Sequence, residues 1–165
     1  MARLKVEAEG VAIASPTDVW ALVADASSYA EWGPWDGSGD KDGGDQPSGT
    51  IGTMRWLRYR NTTTVELVLD SEPNERLVYS VLRGIPVRNY EAQVTITPIA
   101  TGTHVRWAAE WDRTIAGRIV QRKLRALYPE IMARLLAAAE RRAITSRTEN
   151  LADYALVRTS TCRIT

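Results

Sequence analysis

From Arg3 to Ile13, apolar and polar side chains alternate for most of the stretch, which predicts a strand with one buried face. Ser15 and Pro16 then mark a helix start. The hydroxyl can cap free backbone N–H groups, and proline is already set for the first helical turn. Val19, Trp20, Leu22 and Val23 give this short helix an apolar face. Asp25 can cap a second short helix that carries Tyr29 and ends near Trp32-Gly33-Pro34-Trp35. The stretch from Asp36 to Gly49, rich in Gly, Asp and Ser, predicts a loop or an irregular edge hairpin.

Four or five antiparallel strands are expected next. The strand-length segments are Thr50 to Arg60, Thr62 to Asp70, Arg76 to Arg83, Asn89 to Thr97 and Thr103 to Asp112, with turn residues between them. Tyr90, Ala92, Val94 and Ile96 share one face, opposite Glu91, Gln93 and Thr95; Val105, Trp107, Ala109 and Trp111 oppose His104, Arg106 and Glu110. One face of the sheet is therefore covered and the other meets water. At Ile115 the spacing changes to every third or fourth residue, through Val120, Leu124, Leu127, Ile131, Leu135 and Ala138. This predicts a long amphipathic helix to Arg147, with Pro129 either bending it or starting its main part. Residues 146–165 show no clear period and are read as a C-terminal tail of uncertain order, so residues 1–145 form the single domain. The fold class is α+β: a curved antiparallel sheet of about six or seven strands wrapped around a long C-terminal helix, with two short helices after the first strand.

Composition narrows the function. A chain of 165 residues, 44% hydrophobic and 25% charged, suits one globular domain. With 21 Lys and Arg against 20 Asp and Glu, overall basicity cannot drive binding to nucleic acid, and no nucleic-acid partner is expected. A lone Cys162 rules out an intrachain disulfide and a cysteine metal cluster. A charged, alternating start and the lack of a long apolar run predict a cytoplasmic protein without stable membrane insertion. Six Trp and six Tyr with no Phe mean that the large aromatic rings carry polar handles suited to a half-wet cavity as well as to a dry core.

Trp56, Tyr79, Tyr90 and Trp107 on strands should face Leu124, Tyr128, Ile131 and Met132 on the long helix. Periodicity alone leaves open whether these residues line a cavity or fill a solid core. The Trp56 strand is ambiguous, because Met54 and Trp56 oppose Leu57 and Tyr59 with apolar groups on both faces. Trp32 and Trp35 flank a Gly-Pro bend and could form a lip over an entrance. His104, the single histidine, falls on the water-facing side, which disfavours imidazole catalysis and a multi-histidine metal site. Tyr79 and Tyr90 remain as proton donors, and Arg83 and Arg88 could meet a ligand anion at the rim. Asp36, Asp40, Asp42 and Asp45 fail the calcium-loop pattern, since the twelfth position from Asp40 is Ile51. Nine basic residues to two acidic between Arg113 and Arg147 read first as a solvated helix face. Neither a metal nor another cofactor is expected.

Ile13-Ala14-Ser15-Pro16, Val19-Trp20, Asp25, Tyr29 and Trp32, followed by Gly102-Thr103, Trp107 and the long helix, resemble the START-like superfamily with the helix-grip fold. Within it, they resemble the polyketide cyclase/dehydratase and lipid-transport group, over residues 3–145. The resemblance implies a hydrophobic cavity between sheet and helix that takes a small hydrophobic or aromatic molecule. It leaves open cyclase or dehydratase chemistry, a non-enzymatic lipid carrier or an interaction module, and also a homodimer.

Overall fold

The computed structural model describes residues 2–41 and 45–160, with side chains through residue 152. Asp42 of the acidic loop and Cys162 lie outside the described residues. The chain forms β1 (Arg3–Ala12), α1 (Pro16–Ala24), a single 3-10 turn (Ala26–Ser28), α2 (Tyr29–Trp32), β2 (Gly37–Lys41), β3 (Met54–Tyr59), β4 (Thr62–Glu72), β5 (Arg76–Arg83), β6 (Glu91–Ile99), β7 (Gly102–Asp112) and α3 (Ile115–Ser160).

Local chemistry sets these boundaries. At α1, Ser15 accepts from the Asp18 N–H at 3.2 Å and Asp18 accepts from the Ser15 N–H at 3.1 Å, a reciprocal capping box with Pro16 in the first turn. Asp25 caps the following turn through the Ser27 N–H at 3.0 Å. The expected loop after Asp36 begins with a short edge strand, β2, rich in glycine. Trp56 of β3 lies across it: a Cβ on Gly39 would stand 3.1 Å from the Trp56 indole nitrogen, so the close approach depends on the missing side chain.

All seven strands are antiparallel, in the order β1-β7-β6-β5-β4-β3-β2. Successive hairpins build β2 through β7, and β1 joins the far edge beside β7, with Ala8 opposite Trp107. The resulting helix-grip fold has the inward face of the curved sheet against α3. Outward, His104 pairs with Glu9 at 3.2 Å and Arg106 pairs with Glu7 across the same two strands. α3 runs as one helix through Pro129 and on to Ser160, past the expected end at Arg147. Pro129 and Arg125 are both exposed, so the carbonyl that loses its N–H partner can be solvated.

Candidate functional site

The first half of α3 stands off the sheet. Between them lies a cavity of about 730 Å³, walled by Leu57 and Tyr59 of β3, Thr64 and Glu66 of β4, Tyr79 and Val81 of β5, Tyr90, and Trp107 of β7. α3 contributes Val120, Leu124, Tyr128 and Ile131, which recur every three or four residues and so share one side of the helix. Gly84, Ile85 and Pro86 of the β5–β6 connection and Trp35 complete the wall, and Arg60 and Lys123 bring positive charge to it.

Most of this lining is apolar, but its polar groups are organised. The Trp107 indole N–H donates to the Tyr79 hydroxyl at 2.9 Å, and the hydroxyls of Tyr90 and Tyr128 hydrogen-bond at 3.1 Å. The Tyr90 ring also stacks on Trp111, with centroids 5.7 Å apart. Burial pushes the Tyr79 and Tyr90 phenols well above their ordinary value and raises Tyr128 as well. These phenols therefore stay protonated at neutral pH and can act as hydrogen-bond donors.

Behind them is a buried ion pair. Arg55 and Glu66 face each other directly in the β3–β4 register, and the Arg55 Nε donates to the Glu66 Oε2 at 2.7 Å, with side-chain exposures of 2% and 7%. Arg55 Nη1 donates to the Tyr29 hydroxyl at 2.9 Å and to the Val23 carbonyl at 3.3 Å. Its guanidinium lies 4.9 Å from the Tyr29 ring centre and 4.4 Å from that of Tyr79, so aromatic faces help to replace lost water. Arg55 Nη2 has no hydrogen-bond partner among the described residues. Burial raises the Glu66 carboxyl above the usual range while Arg55 opposes that rise. For Arg55, burial works against the charge, but Tyr29 and Glu66 outweigh it and hold the guanidinium protonated. Burial likewise moves Tyr29 up to about 12.

Of the residues singled out in the sequence, Trp35, Tyr79, Tyr90, Trp107, Leu124, Tyr128 and Ile131 come together around the cavity. Three stand elsewhere. Trp56 points to the other face of the sheet, over Gly37 and Gly39. Trp32 is buried beside Tyr29 and donates to the Ser28 hydroxyl at 3.1 Å. Met132 packs beneath Gly10 of β1. The Trp32-Trp35 bend is thus half core and half wall. A Cβ on Gly33 would lie 2.1 Å from the Trp35 ring, so glycine lets that ring fold back against the bend. Arg134 of α3 ties the bend down through the Gly33 carbonyl at 3.3 Å. Arg83 and Arg88 are exposed and absent from the wall, where Arg60 and Lys123 stand instead.

Sequence reasoning missed Glu66 and its partner Arg55. Their strands carry apolar residues on both faces, Met54 and Trp56 against Leu57 and Tyr59 on one strand and Val65 and Leu67 against Val68 on the other, so alternation gives no clear inward side. The available signal was charge: one cation and one anion, each set among apolar neighbours on adjacent predicted strands.

Among the described residues, no cluster of three or more His, Cys, Asp or Glu could hold a metal ion, and no helix is long and apolar enough to cross a membrane.

A helix-grip sheet closed over a polar-edged apolar cavity defines the class. Residues 3–155 match the family described as polyketide cyclase / dehydrase and lipid transport, and the chain belongs to that family. Its fold is shared by solved structures of a protein from Nitrosospira multiformis (20% identity, TM-score 0.68, covering 82% of this chain and 96% of that one) and one from Mesorhizobium loti (20%, 0.68, 84% and 98%). A protein from Thermobifida fusca is similar as well (24%, 0.67, 86% and 95%). At these identities the likeness establishes the fold alone. No curated protein matches the chain in sequence.

Proposed function

We propose that this protein binds a small hydrophobic or aromatic molecule in the cavity between the sheet and α3. The observation that carries this reading is the cavity itself: about 730 Å³, walled chiefly by Leu57, Leu124, Leu127, Ile131 and aromatic rings. Apolar walls supply affinity by removing ligand surface from water, and the few buried hydroxyls orient what enters. The ligand is bound within a single domain in the cytoplasm, without nucleic acid.

The test is direct. An apolar fluorescent probe should bind the purified protein one to one, and Leu124→Trp, which fills the space from the helix side, should weaken binding at least about tenfold, or about 1.4 kcal/mol. Unchanged affinity in that variant would refute the reading.

A cyclase- or dehydratase-type reaction is the second reading, favoured by the carboxyl group of Glu66 among three protonated phenols. A carboxylate can take a proton while a phenol stabilises the oxygen on which negative charge grows. Polyketide intermediates incubated with the protein and with Tyr79→Phe and Tyr90→Phe decide between the two. Turnover above the spontaneous rate, lost in a variant that still binds, makes the protein a catalyst; no such loss leaves it a carrier.

A further inference from the structure

Among the described residues, Glu66 is the one acidic residue lining the cavity, and one of its two carboxylate oxygens is hydrogen-bonded. Oε2 accepts from Arg55 Nε; among the described residues, no donor reaches Oε1. Oε1 opens onto the cavity rather than being sealed in the core, so a ligand donor can take the place of water on it. Opposite it, the phenols have a proton to spare. Tyr79, Tyr90 and Tyr128 hold three hydroxyl protons, the Tyr90–Tyr128 hydrogen bond uses one of them, and the Trp107 N–H occupies Tyr79 as an acceptor. The pocket thus offers one strong acceptor and at least one donor to a guest.

We propose that Glu66 is the specificity-determining residue of this cavity and selects a hydrophobic ligand bearing a hydroxyl group. The hydroxyl donates to Glu66 and accepts from the tyrosine cluster. The inference rests on the binding role proposed above and names the class of ligand. It also states what is refused: a carboxylate head at this depth would meet Glu66 with like charge. An ether or a bare hydrocarbon fits the walls but leaves the carboxylate oxygen unpartnered. Arg55 acts only through Glu66 and is a positioning residue. It is held by Tyr29, the Val23 carbonyl and two ring faces, and so fixes the carboxylate from behind.

Isothermal titration with naphthol, its methyl ether and naphthoate tests this. A hydrogen bond to a charged acceptor predicts that naphthol binds about ten- to a hundredfold more tightly than the ether, with naphthoate weakest. In Glu66→Gln, the amide oxygen can keep the bond to Arg55 while the amide nitrogen turns a donor toward the ligand. The naphthol preference should then collapse, and methyl naphthyl ketone, which has only an acceptor, should gain. A residue that served solely as the partner of Arg55 would leave the ranking unchanged.

If Glu66→Gln does not fold, the paired variant Arg55→Met with Glu66→Leu replaces the ion pair by apolar groups, and it should bind the ether at least as tightly as naphthol. Equal wild-type affinities for naphthol and its ether overturn the selection while leaving the cavity a binding site, as does an unaltered naphthol preference in either variant. Failure of the wild-type protein to bind either molecule overturns both.

Discussion

The two halves of α3 meet the same sheet in opposite ways. Past Met132 the helix packs directly on β1 and α1: Leu135 and Ala139 are fully buried, Ala138 and Ala143 nearly so. A Cβ on Gly10 of β1 would stand 2.5 Å from Leu136. Polar contacts extend the fit, since Glu140 accepts from the Ile13 N–H at 3.0 Å. Before Met132, the helix faces the cavity through Leu124, Leu127 and Tyr128. The difference lies in side-chain size and polarity. Alanine and glycine let the solid end close, whereas at the hollow end rings with hydrogen-bonded hydroxyls are held by partners and cannot collapse inward without losing them. Close packing and the cavity wall are thereby assigned to different lengths of one helix.

The sharpest way to break this division is at its border, where Arg55 joins the core to the cavity. Arg55→Met should cost about 3–5 kcal/mol in chemical denaturation, because it leaves Glu66 buried and unpaired; a cost below about 1 kcal/mol would show that water already reaches the carboxylate. Next comes the contrast between the ends. Leu135→Ala opens a cavity in a filled region and should cost about 2–5 kcal/mol. Leu124→Ala, beside space that already exists, should cost about 1 kcal/mol. Equal losses would mean that the two ends are packed alike.

Acidity gives a third test. Burial keeps the proton on Glu66 to higher pH in the folded chain than in the unfolded one, where the ordinary value is 4.5. The folded state therefore binds more protons, and this contribution is complete below 4.5 and lost as pH rises through the folded value. The difference in melting temperature between the wild type and Glu66→Gln should shift against the wild type as pH rises through that window. A difference that stays flat with pH would contradict the raised carboxyl. The smallest effect belongs to the outer face. His104→Ala removes one exposed contact with Glu9 and should change stability by about 0.5 kcal/mol or less without altering probe binding. A loss of affinity there would reverse the assigned faces of β7.

Much of the fold was legible because periodicity reports which side of each element is apolar. The alternation in β6 and β7, the Ser15-Pro16 helix start and the long amphipathic helix are properties of neighbouring residues, and the structure has them where the pattern put them. The same alternation brought Tyr79, Tyr90 and Trp107 to the inner face. It failed on β3, where apolar residues on both faces let Trp56 be read as cavity lining, although it stands on the outer face over Gly37 and Gly39. It also stopped short at Arg147, because the Ser- and Thr-rich stretch that continues α3 has no repeating apolar face to announce a helix.

The sequence by itself determined the elements, the inward residues of β6 and β7 and a supply of polar-edged rings. The tertiary structure alone decided that Arg55 and Glu66 turn inward. A single charge in a strand belongs in water; two opposite charges can be buried when the β3–β4 register sets them face to face, and Tyr29 and Val23, distant in sequence, accept from the guanidinium Nη1. Tertiary structure also decided that one half of α3 covers a hollow. Periodicity says which side of a helix is apolar, but the distance at which that side stands from the sheet depends on all the side chains between them.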